Sequence, residues 1–253
     1  MENMISEKAK IGKNVTIGYA VRIYDNVHID DNCVIGDFCC IGWPTGGPNA
    51  GKTLYIGPNS IIRSHAVIYE GSSFKSKLET GHHVILRDGV MAGHNLRVGN
   101  ASDIEGLNII GDYVRIHGYV QIGRSSNIGS YVWFYSLVLM LNDPLPPSHL
   151  AEPSMVDEGA VICVGARIFP GVRVGKAAFV SANTCARHDV PPCAVVVGDE
   201  GKIAGRVDLL IHKPSLTRHP WYGHFADAYP PEAQQGLKDL QQFVKENAKK
   251  VKV

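Results

Sequence analysis

Two adjacent histidines, His82 and His83, are the residues of this chain best suited to acid–base chemistry. An imidazole titrates near neutrality, so it can remove a proton from a nucleophile as a general base. Asp88 follows six residues after His82 and supplies a carboxylate that could orient a histidine or a substrate amine. The residues alone leave a second interpretation equally open, in which both histidines are solvated turn residues.

A glycine-rich segment suggests a different chemistry. Residues 46–53 match the G-x-x-x-x-G-K-T pattern of phosphate-binding loops. Such a loop needs a helix after the threonine, because the N-terminus of that helix faces the phosphates. Here Thr53 is followed by Leu54-Tyr55-Ile56-Gly57, which continues a strand repeat. We therefore expect a corner loop rather than a nucleotide triphosphatase, although Lys52 could still contact a ligand.

A six-residue repeat determines the fold that positions these residues. Isoleucine occupies every sixth position from Ile5 to Ile41, and mostly apolar residues continue the same spacing, with breaks, to Val180. A period of six fits neither a helix nor a single strand, so the unit is a short strand followed by a corner where glycine is frequent. Three units usually make one triangular coil, which predicts about nine coils of a parallel β-helix.

Residues 18 positions apart are expected to stack in adjacent coils, which gives each polar candidate a neighbour. The predicted pairs are His82 with Asn100, Arg87 with Glu105, and His94 with Asp112. Among these residues, Arg87, Asn100, Glu105 and His94 are candidates for substrate binding. A ladder of ordinary surface pairs explains the same pattern equally well.

The repeat breaks at two points. The first break, Trp43 to Leu54, contains the glycine-rich loop. The second, Leu141 to Met155, is rich in proline, which prevents regular strand pairing. A coil tolerates insertions only at its corners, so we expect both segments to project from corners of the prism.

The six-residue repeat becomes irregular after Val180, and the C-terminal region has a different sequence pattern. Apolar residues between Glu232 and Lys249 form one helical stripe, which predicts a helix packed beside the last coils. The expected domains are a β-helix over residues 1–206 and a loop-and-helix extension over residues 207–253.

Bulk composition argues against several classes of protein. Lys and Arg number 25 against 24 Asp and Glu, so no electrostatic argument favours nucleic acid or a membrane surface. No apolar run approaches the roughly 20 residues of a transmembrane helix, and the N-terminus lacks a signal-peptide core. Six cysteines form no CxxC pair, and Cys33 and Cys39 occupy inward repeat positions, as reduced core thiols would. We expect a cytoplasmic protein without a metal.

The repeats resemble the left-handed β-helix acyltransferases of the hexapeptide-repeat superfamily over about residues 5–206. Four motifs carry the resemblance: Ile61-Ile62-Arg63-Ser64, residues 80–88 (TGHHVILRD), Asn142-Asp143-Pro144, and residues 189–206, which begin Asp189-Val190-Pro191-Pro192. They are most similar to acetyltransferases acting on dTDP-3-amino-3,6-dideoxyhexoses, which belong to the N-acyltransferases of nucleotide-linked amino-deoxysugars used for surface polysaccharides. The implied fold is mainly β, a left-handed parallel β-helix.

The resemblance implies transfer of an acetyl or other short acyl group from acyl-CoA to the amine of such a sugar. It also implies a homotrimer, with active sites between subunits and acyl-CoA along the C-terminal coils. The implied catalytic residues are His82, His83 and Asp88, and the implied acyl-CoA contacts are Asn142, Lys202 and Arg206. Either a histidine or the departing CoA thiolate would accept the proton of the amine.

Three alternatives fit parts of the same pattern. The acceptor could instead be a 4-amino sugar, a sugar hydroxyl or serine, because these residues do not distinguish acceptors. A γ-type zinc carbonic anhydrase of this fold needs three histidines converging between subunits, but no histidine lies within several residues of His117. A non-catalytic β-helix scaffold would need neither the histidine pair nor a projecting proline-rich arm.

Overall fold

The computed structural model describes residues 2–252 and shows a triangular parallel β-helix followed by a C-terminal segment that packs along it. Each coil contributes one short strand to each of three sheets, which we call A, B and C. Through the first nine coils, paired residues are 18 apart where no loop intervenes, as in Ile5 with Ile23 and Leu86 with Ile104. The pairing to the tenth coil is 16 residues apart in sheets B and C, as in Phe179 with Val195. The spacing predicted from the sequence is therefore the register of the coils.

The strands follow the chain in groups of three. Sheet A contains β1 (Met4–Ile5), β4 (Arg22–Ile23), β7 (Cys40–Trp43), β10 (Val67–Tyr69), β13 (Ile85–Leu86), β16 (Asp103–Ile104), β19 (Gln121–Ile122), β22 (Leu139–Met140), β25 (Arg167–Ile168) and β28 (Cys185–Ala186). Sheet B contains β2 (Lys10–Ile11), β5 (Val27–Ile29), β8 (Leu54–Ile56), β11 (Ser73–Phe74), β14 (Met91–Ala92), β17 (Ile109–Ile110), β20 (Asn127–Ile128), β23 (Met155–Val156) and β26 (Arg173–Val174). Sheet C contains β3 (Thr16–Ile17), β6 (Val34–Ile35), β9 (Ile61–Ile62), β12 (Glu79–Thr80), β15 (Arg97–Val98), β18 (Arg115–Ile116), β21 (Trp133–Phe134), β24 (Val161–Ile162), β27 (Phe179–Val180), β29 (Ala194–Val197) and the antiparallel β30 (Lys202–Arg206).

Strands β1–β27 form nine complete coils at three strands per coil, as the repeat predicts. A tenth coil follows, in which a single bridge between Val174 and Val190 takes the place of a sheet B strand. The left-handed β-helix expected from the sequence is thus the observed architecture.

The repeated apolar residue of each unit points into the prism. In β17, Ile110 is 2% exposed while its neighbour Ile109 on the outer face is 58% exposed. The first coil is less buried: Ile5 and Ile11 are 40% and 37% exposed, because within residues 2–252 no coil precedes theirs. The core is therefore a column in which each coil covers the one before it.

The corners form three edges that run along the prism. Edge AB includes residues 87–89 and 105–107, edge BC includes residues 93–95 and 111–113, and edge CA includes residues 81–83 and 99–101. Most corners contain one residue with positive φ, such as Asn95 on edge BC or His83 on edge CA. Asparagine tolerates this left-handed conformation better than most residues, which explains its recurrence along the lower part of edge BC.

Both predicted interruptions are confirmed, and both leave the prism at edge AB. Residues 44–53 connect β7 to β8, and residues 141–154 connect β22 to β23. Strand β8 begins directly after Thr53, so the glycine-rich loop lacks the helix that a phosphate-binding loop requires. The two loops therefore extend from the same side of the molecule, five coils apart.

The chain after β30 folds back over sheet C and edge BC. Its elements are β31 (Ile211–His212), β32 (Thr217–Arg218), α1 (Gln234–Asn247) and 3₁₀ turns at Val207–Leu209, Trp221–Gly223, Ala226–Ala228, Pro231–Ala233 and Ala248–Lys250. The apolar stripe of α1 is buried, as predicted, and the hydroxyl of Tyr131 donates to the carbonyl of Ala233 at 3.1 Å. Within residues 2–252, no helix is both long enough and apolar enough to span a membrane.

The pair in β17 allows a direct test of this core. We expect Ile110→Ala to lower the free energy of unfolding by about 2–5 kcal/mol, because it opens a cavity that neighbouring coils cannot fill. The matched change Ile109→Ala on the exposed face should cost less than about 1 kcal/mol. Urea unfolding at one fixed protein concentration measures both values, and equal losses would contradict the inward register.

Candidate functional site

The coil distributes the predicted residues over all three edges of the protomer. His82, His83 and Asn100 lie on edge CA; Arg87, Asp88, Glu105 and Asn142 lie on edge AB; His94 lies on edge BC. A sheet separates each edge from the next. The predicted residues therefore do not meet as one cluster within a single protomer.

His82 is held from two sides. Its Nδ1 lies 2.7 Å from the hydroxyl of Ser64 in the preceding coil, and its backbone N–H donates to Oδ1 of Asn100 in the next coil at 2.8 Å. The predicted neighbour Asn100 is confirmed. The contact with Ser64, 18 residues before His82, was not predicted. Within residues 2–252, Nε2 of His82 has no hydrogen-bond partner. One ring nitrogen is fixed and the other is free. In the tautomer in which Nδ1 carries the proton and donates to Ser64, Nε2 has a free lone pair and can act as a general base.

His83 is held differently, by ring stacking. Its ring lies 4.6 Å from that of His65 at an angle of 26°, and His65 in turn stacks on Phe38 at 4.9 Å. His65 was missed by the sequence reasoning, although its spacing of 18 residues from His83 is visible in the chain. The three rings form a ladder along edge CA beside His82.

His94 repeats the geometry of His82 on another edge. Its Nδ1 lies 2.8 Å from the hydroxyl of Ser76, and its backbone N–H donates to Oδ1 of Asp112 at 2.6 Å. The predicted neighbour Asp112 is confirmed, and Ser76 is the counterpart of Ser64. The structure thus offers two histidines, rather than one, with the same supported ring.

Asp88 faces the first loop rather than a histidine of its own protomer. Its Oδ2 accepts from the amide of Asn49 at 2.9 Å, and Arg124 lies 3.3 Å from both carboxylate oxygens. Burial favours a higher pKa for Asp88, but the hydrogen bonds from Arg124 and Asn49 outweigh it and lower the pKa. A β carbon at Gly89 would approach Nδ2 of Asn49 to 2.4 Å, so this glycine leaves the space into which the loop fits. Asp88 therefore anchors residues 44–53.

Arg87 and Glu105 occupy equivalent corners of adjacent coils, as predicted, but they do not form the salt bridge that was one interpretation of the pair. Arg87 instead forms a salt bridge with Asp103 at 2.6 Å. Glu105 turns toward the following coil, where its carboxylate accepts from the backbone N–H of Arg124 at 3.0 Å. Asp103 lies on the outer face of β16, within reach of the long Arg87 side chain, and is the nearer carboxylate.

The acyl-CoA candidates lie near the C-terminal coils and the second loop. Lys202 and Arg206 belong to β30, where Lys202 lies 3.3 Å from the carboxylate of Glu200 and Arg206 pairs with Asp208 at 3.0 Å. The carbonyl of Asn142 accepts from the N–H of Glu152 at 2.8 Å, which closes the base of the second loop. No bond between these three residues and the histidines is present within residues 2–252.

A cavity of about 800 Å³ lies between sheet C and the C-terminal segment, and the sequence reasoning missed it. Its walls include the outward side chains of Trp133 and Phe179, the corner residue Tyr135, and the hairpin formed by β31 and β32. The lining is mainly apolar and aromatic. No sequence signal indicated it, because the hairpin reaches sheet C only through tertiary packing.

His219 lines this cavity and is removed from water. Burial, with a smaller contribution from the nearby His224, lowers its pKa to about 4. Within residues 2–252, no three His, Cys, Asp or Glu side chains lie close enough together to hold a metal ion.

Comparisons with known proteins agree with this architecture. A family profile described as "Bacterial transferase hexapeptide (six repeats)" matches residues 8–42. A 2,3,4,5-tetrahydropyridine-2,6-dicarboxylate N-acetyltransferase of Brevibacillus brevis is 40% identical over 63 residues, which cover 25% of this chain and 26% of that protein. A serine acetyltransferase of Bacillus licheniformis is 33% identical over 88 residues, covering 34% and 40%. The chain thus spans well under half the length of these two relatives.

Solved structures show the likeness of fold over more of the chain. The UDP-N-acetylglucosamine acyltransferase of Arabidopsis aligns with a TM-score of 0.68 at 18% identity, over 81% of this chain and 73% of that one. The corresponding enzyme of Campylobacter jejuni aligns with a TM-score of 0.50 at 14% identity, over 97% and 89%. The chain has the left-handed β-helix fold, and its predicted resemblance to hexapeptide-repeat proteins is confirmed by the match over residues 8–42 and by the likeness of fold.

The buried His219 gives a pH prediction. An unfolded histidine binds a proton near pH 6.5 but folded His219 only near pH 4, so the free energy of unfolding should fall as the pH drops through that window. We expect a smaller fall in His219→Gln, whose side chain stays neutral throughout. Chemical denaturation at several pH values measures the difference, with His212→Gln at an exposed position of the same hairpin as the control. Equal pH slopes in wild type and His219→Gln would contradict this assignment.

Proposed function

We propose that this protein is an acyl-CoA-dependent N-acyltransferase that modifies the amine of a nucleotide-linked amino-deoxysugar. The observation that carries the proposal is the supported ring of His82, with Nδ1 held by Ser64 and Nε2 free at an exposed corner. The named activities of the two acetyltransferase relatives support the same reaction class. The four motifs that resemble the amino-sugar enzymes, which include residues 80–88, favour a dTDP-3-amino-3,6-dideoxyhexose as acceptor and acetyl as the acyl group.

The reaction breaks one carbon–sulfur bond and moves one proton, in total, from the amine to the CoA thiolate. The amine nitrogen attacks the thioester carbonyl carbon, a carbon–nitrogen bond forms, and CoA leaves as a thiolate. In this proposal Nε2 of His82 takes the proton from the amine, while Nδ1–H donates to the Ser64 hydroxyl and keeps the ring oriented. The proton then passes to the thiolate, so the histidine returns to its neutral form.

The distribution of candidates over three edges supports a homotrimer with shared sites. An edge of one prism can complete its site only with an edge or loop of a neighbour, because its own other edges face elsewhere. Edge CA carries exposed apolar side chains in the coils that follow His82 and His83. Tyr119, two coils on, is 63% exposed, and Leu137, three coils on, is 56% exposed. In this proposal acyl-CoA runs along the later coils toward Asn142, Lys202 and Arg206. The enzyme acts in the cytoplasm, in synthesis of lipopolysaccharide or another surface polysaccharide.

A hydroxyl acceptor is the second candidate. The likeness to a serine acetyltransferase covers 34% of this chain and favours it specifically. The same histidine geometry serves an alcohol, because a hydroxyl also loses its proton as it attacks the thioester.

The acceptor can be identified by measuring release of the CoA thiol. We expect acetyl-CoA to be cleaved fastest with a dTDP-3-amino-3,6-dideoxyhexose in a panel that also contains dTDP-4-amino sugars, UDP-amino sugars and serine. Mass spectrometry of the sugar product should show an added acetyl group on nitrogen. Fastest turnover with serine would favour the hydroxyl alternative, and no acceptor-dependent release with any member would reject the proposal.

Replacing the histidines separately tests which ring is the base. We expect His82→Ala to lower kcat at least tenfold, because general-base catalysis typically contributes about 10²–10⁴. His28→Ala, on sheet B of the second coil, is the matched control and should retain full activity. His94→Ala tests the second supported histidine. A large loss of kcat in this variant, with normal kcat in His82→Ala, would identify His94 on edge BC as the general base. Near-normal rates in both of these variants and in His83→Ala would favour proton acceptance by the thiolate.

A further inference from the structure

The cavity beneath the C-terminal hairpin presents apolar walls to solvent. Its volume of about 800 Å³ falls within the range of roughly 300–1,000 Å³ that ligand pockets occupy. Val164 and Phe225 line it and are 42% and 44% exposed, so its walls can be reached from outside. Covering apolar surface of this kind releases it from water and favours binding of an apolar ligand group.

The nitrogen donors around this cavity are not available to a ligand. Nε1 of Trp133 already donates to the hydroxyl of Tyr229 at 2.9 Å. Nε1 of Trp221 and Nε2 of His219 are shut off from solvent, so a ligand in the cavity does not reach them. A flat heterocycle would bury its polar edge without these partners, which weakens binding, whereas an alkyl chain has no polar edge to satisfy.

The segment that covers the cavity carries charge of one sign. Residues 209–226 contain Lys213, Arg218 and three histidines but no Asp or Glu, in a chain with 25 basic and 24 acidic residues. Arg218 lines the cavity and is exposed, and neither cation forms a salt bridge within residues 2–252. The acidic residue just before this segment, Asp208, is paired with Arg206 at 3.0 Å. The entrance therefore favours an anion.

The lining itself supports the same conclusion. No acidic side chain is present among the described residues that line the cavity. His212, Thr217 and His224 line it at exposed positions beside Arg218, so its polar side chains include a group at the rim. The site thus combines an apolar wall with a cationic entrance, which is the complement of a molecule with one apolar chain and one anionic head.

We propose that this cavity binds a single-chain anionic amphiphile, with the alkyl chain against the aromatic walls and a carboxylate or phosphate head at Arg218. A guanidinium pairs with either head through parallel N–H donors. A neutral alcohol of the same length lacks this pairing, and an amine meets a like charge. The site goes beyond the proposed acyl transfer and does not depend on it.

Calorimetric titration of the wild-type protein tests the site without any reaction. The probes are octanoate, hexanoate, octyl phosphate, octan-1-ol, octylamine and adenosine. We expect saturable binding of octanoate or octyl phosphate, binding of octan-1-ol at least about fivefold weaker, and no saturable binding of octylamine. Hexanoate should bind about tenfold more weakly than octanoate, because each buried methylene strengthens binding about fourfold. The tighter of octanoate and octyl phosphate identifies the head group.

A variant at the rim isolates the charge. We expect Arg218→Gln to weaken octanoate about three- to tenfold and to leave octan-1-ol unchanged. Its exposed position keeps this test independent of folding. Arg22→Gln, at an exposed position of β4 in the second coil, is the matched control and should bind octanoate normally.

A second variant isolates the cavity. Ala182 lines the cavity at an exposed position, so Ala182→Trp adds a bulky side chain there without entering the prism. We expect this change to weaken octanoate and octan-1-ol equally, at least about fivefold, because both need the same space for their chains. Ala151→Trp, at an exposed position of the second loop, is the control and should leave both affinities unchanged.

Several results would overturn the inference. These are no saturable binding of octanoate or octyl phosphate at millimolar concentration, equal binding of octylamine, adenosine binding more tightly than octanoate, or normal affinities in Ala182→Trp. Sedimentation with phosphatidylglycerol vesicles without binding of either soluble anion would also reject it, because the affinity would then belong to the hairpin surface. Acyl transfer in the acceptor panel is a separate readout, so either result can fail while the other stands.

Discussion

The backbone hydrogen bonding between adjacent coils is the constraint on which the rest of this molecule depends. Corner residues donate to a carbonyl of the next coil, as Arg87 does to Ile104 at 2.9 Å, and through the first nine coils each strand pairs with the strand 18 residues onward where no loop intervenes. A strand of two residues could not hold its place alone. Stacking converts many weak strands into three continuous sheets, and it fixes every corner side chain relative to those of the neighbouring coils.

The same register builds the polar sites. Ser64 supports His82, and Ser76 supports His94, because in each pair the two residues occupy equivalent corners of consecutive coils. On edge AB, the carboxylate of Asp88 holds the first loop in place. It accepts hydrogen bonds from the amide of Asn49 in the loop and from the guanidinium of Arg124. The repetitive scaffold thus supports irregular features at chosen corners without losing its own pairing.

The C-terminal segment changes what the prism can bind. It covers the outer face of sheet C in the later coils, where Trp133 and Phe179 would otherwise be exposed, and it encloses the aromatic cavity. Edges AB and CA stay open beside it, and they carry the loops and the histidine ladder. The molecule therefore separates an apolar, solvent-open pocket beneath the C-terminal segment from polar edges.

The sequence by itself determined the coil, its first nine turns, the inward isoleucines, the two loops and the C-terminal helix, because a six-residue period predicts a coil and each interruption of that period is visible in the sequence. It also predicted the neighbours of His82 and His94, since stacking follows from counting 18 residues. Only the tertiary structure decided that Arg87 pairs with Asp103, that Asp88 anchors a loop, and that a hairpin encloses a cavity. Those contacts depend on side-chain reach and on segments that return from far along the chain, which a local periodicity does not encode.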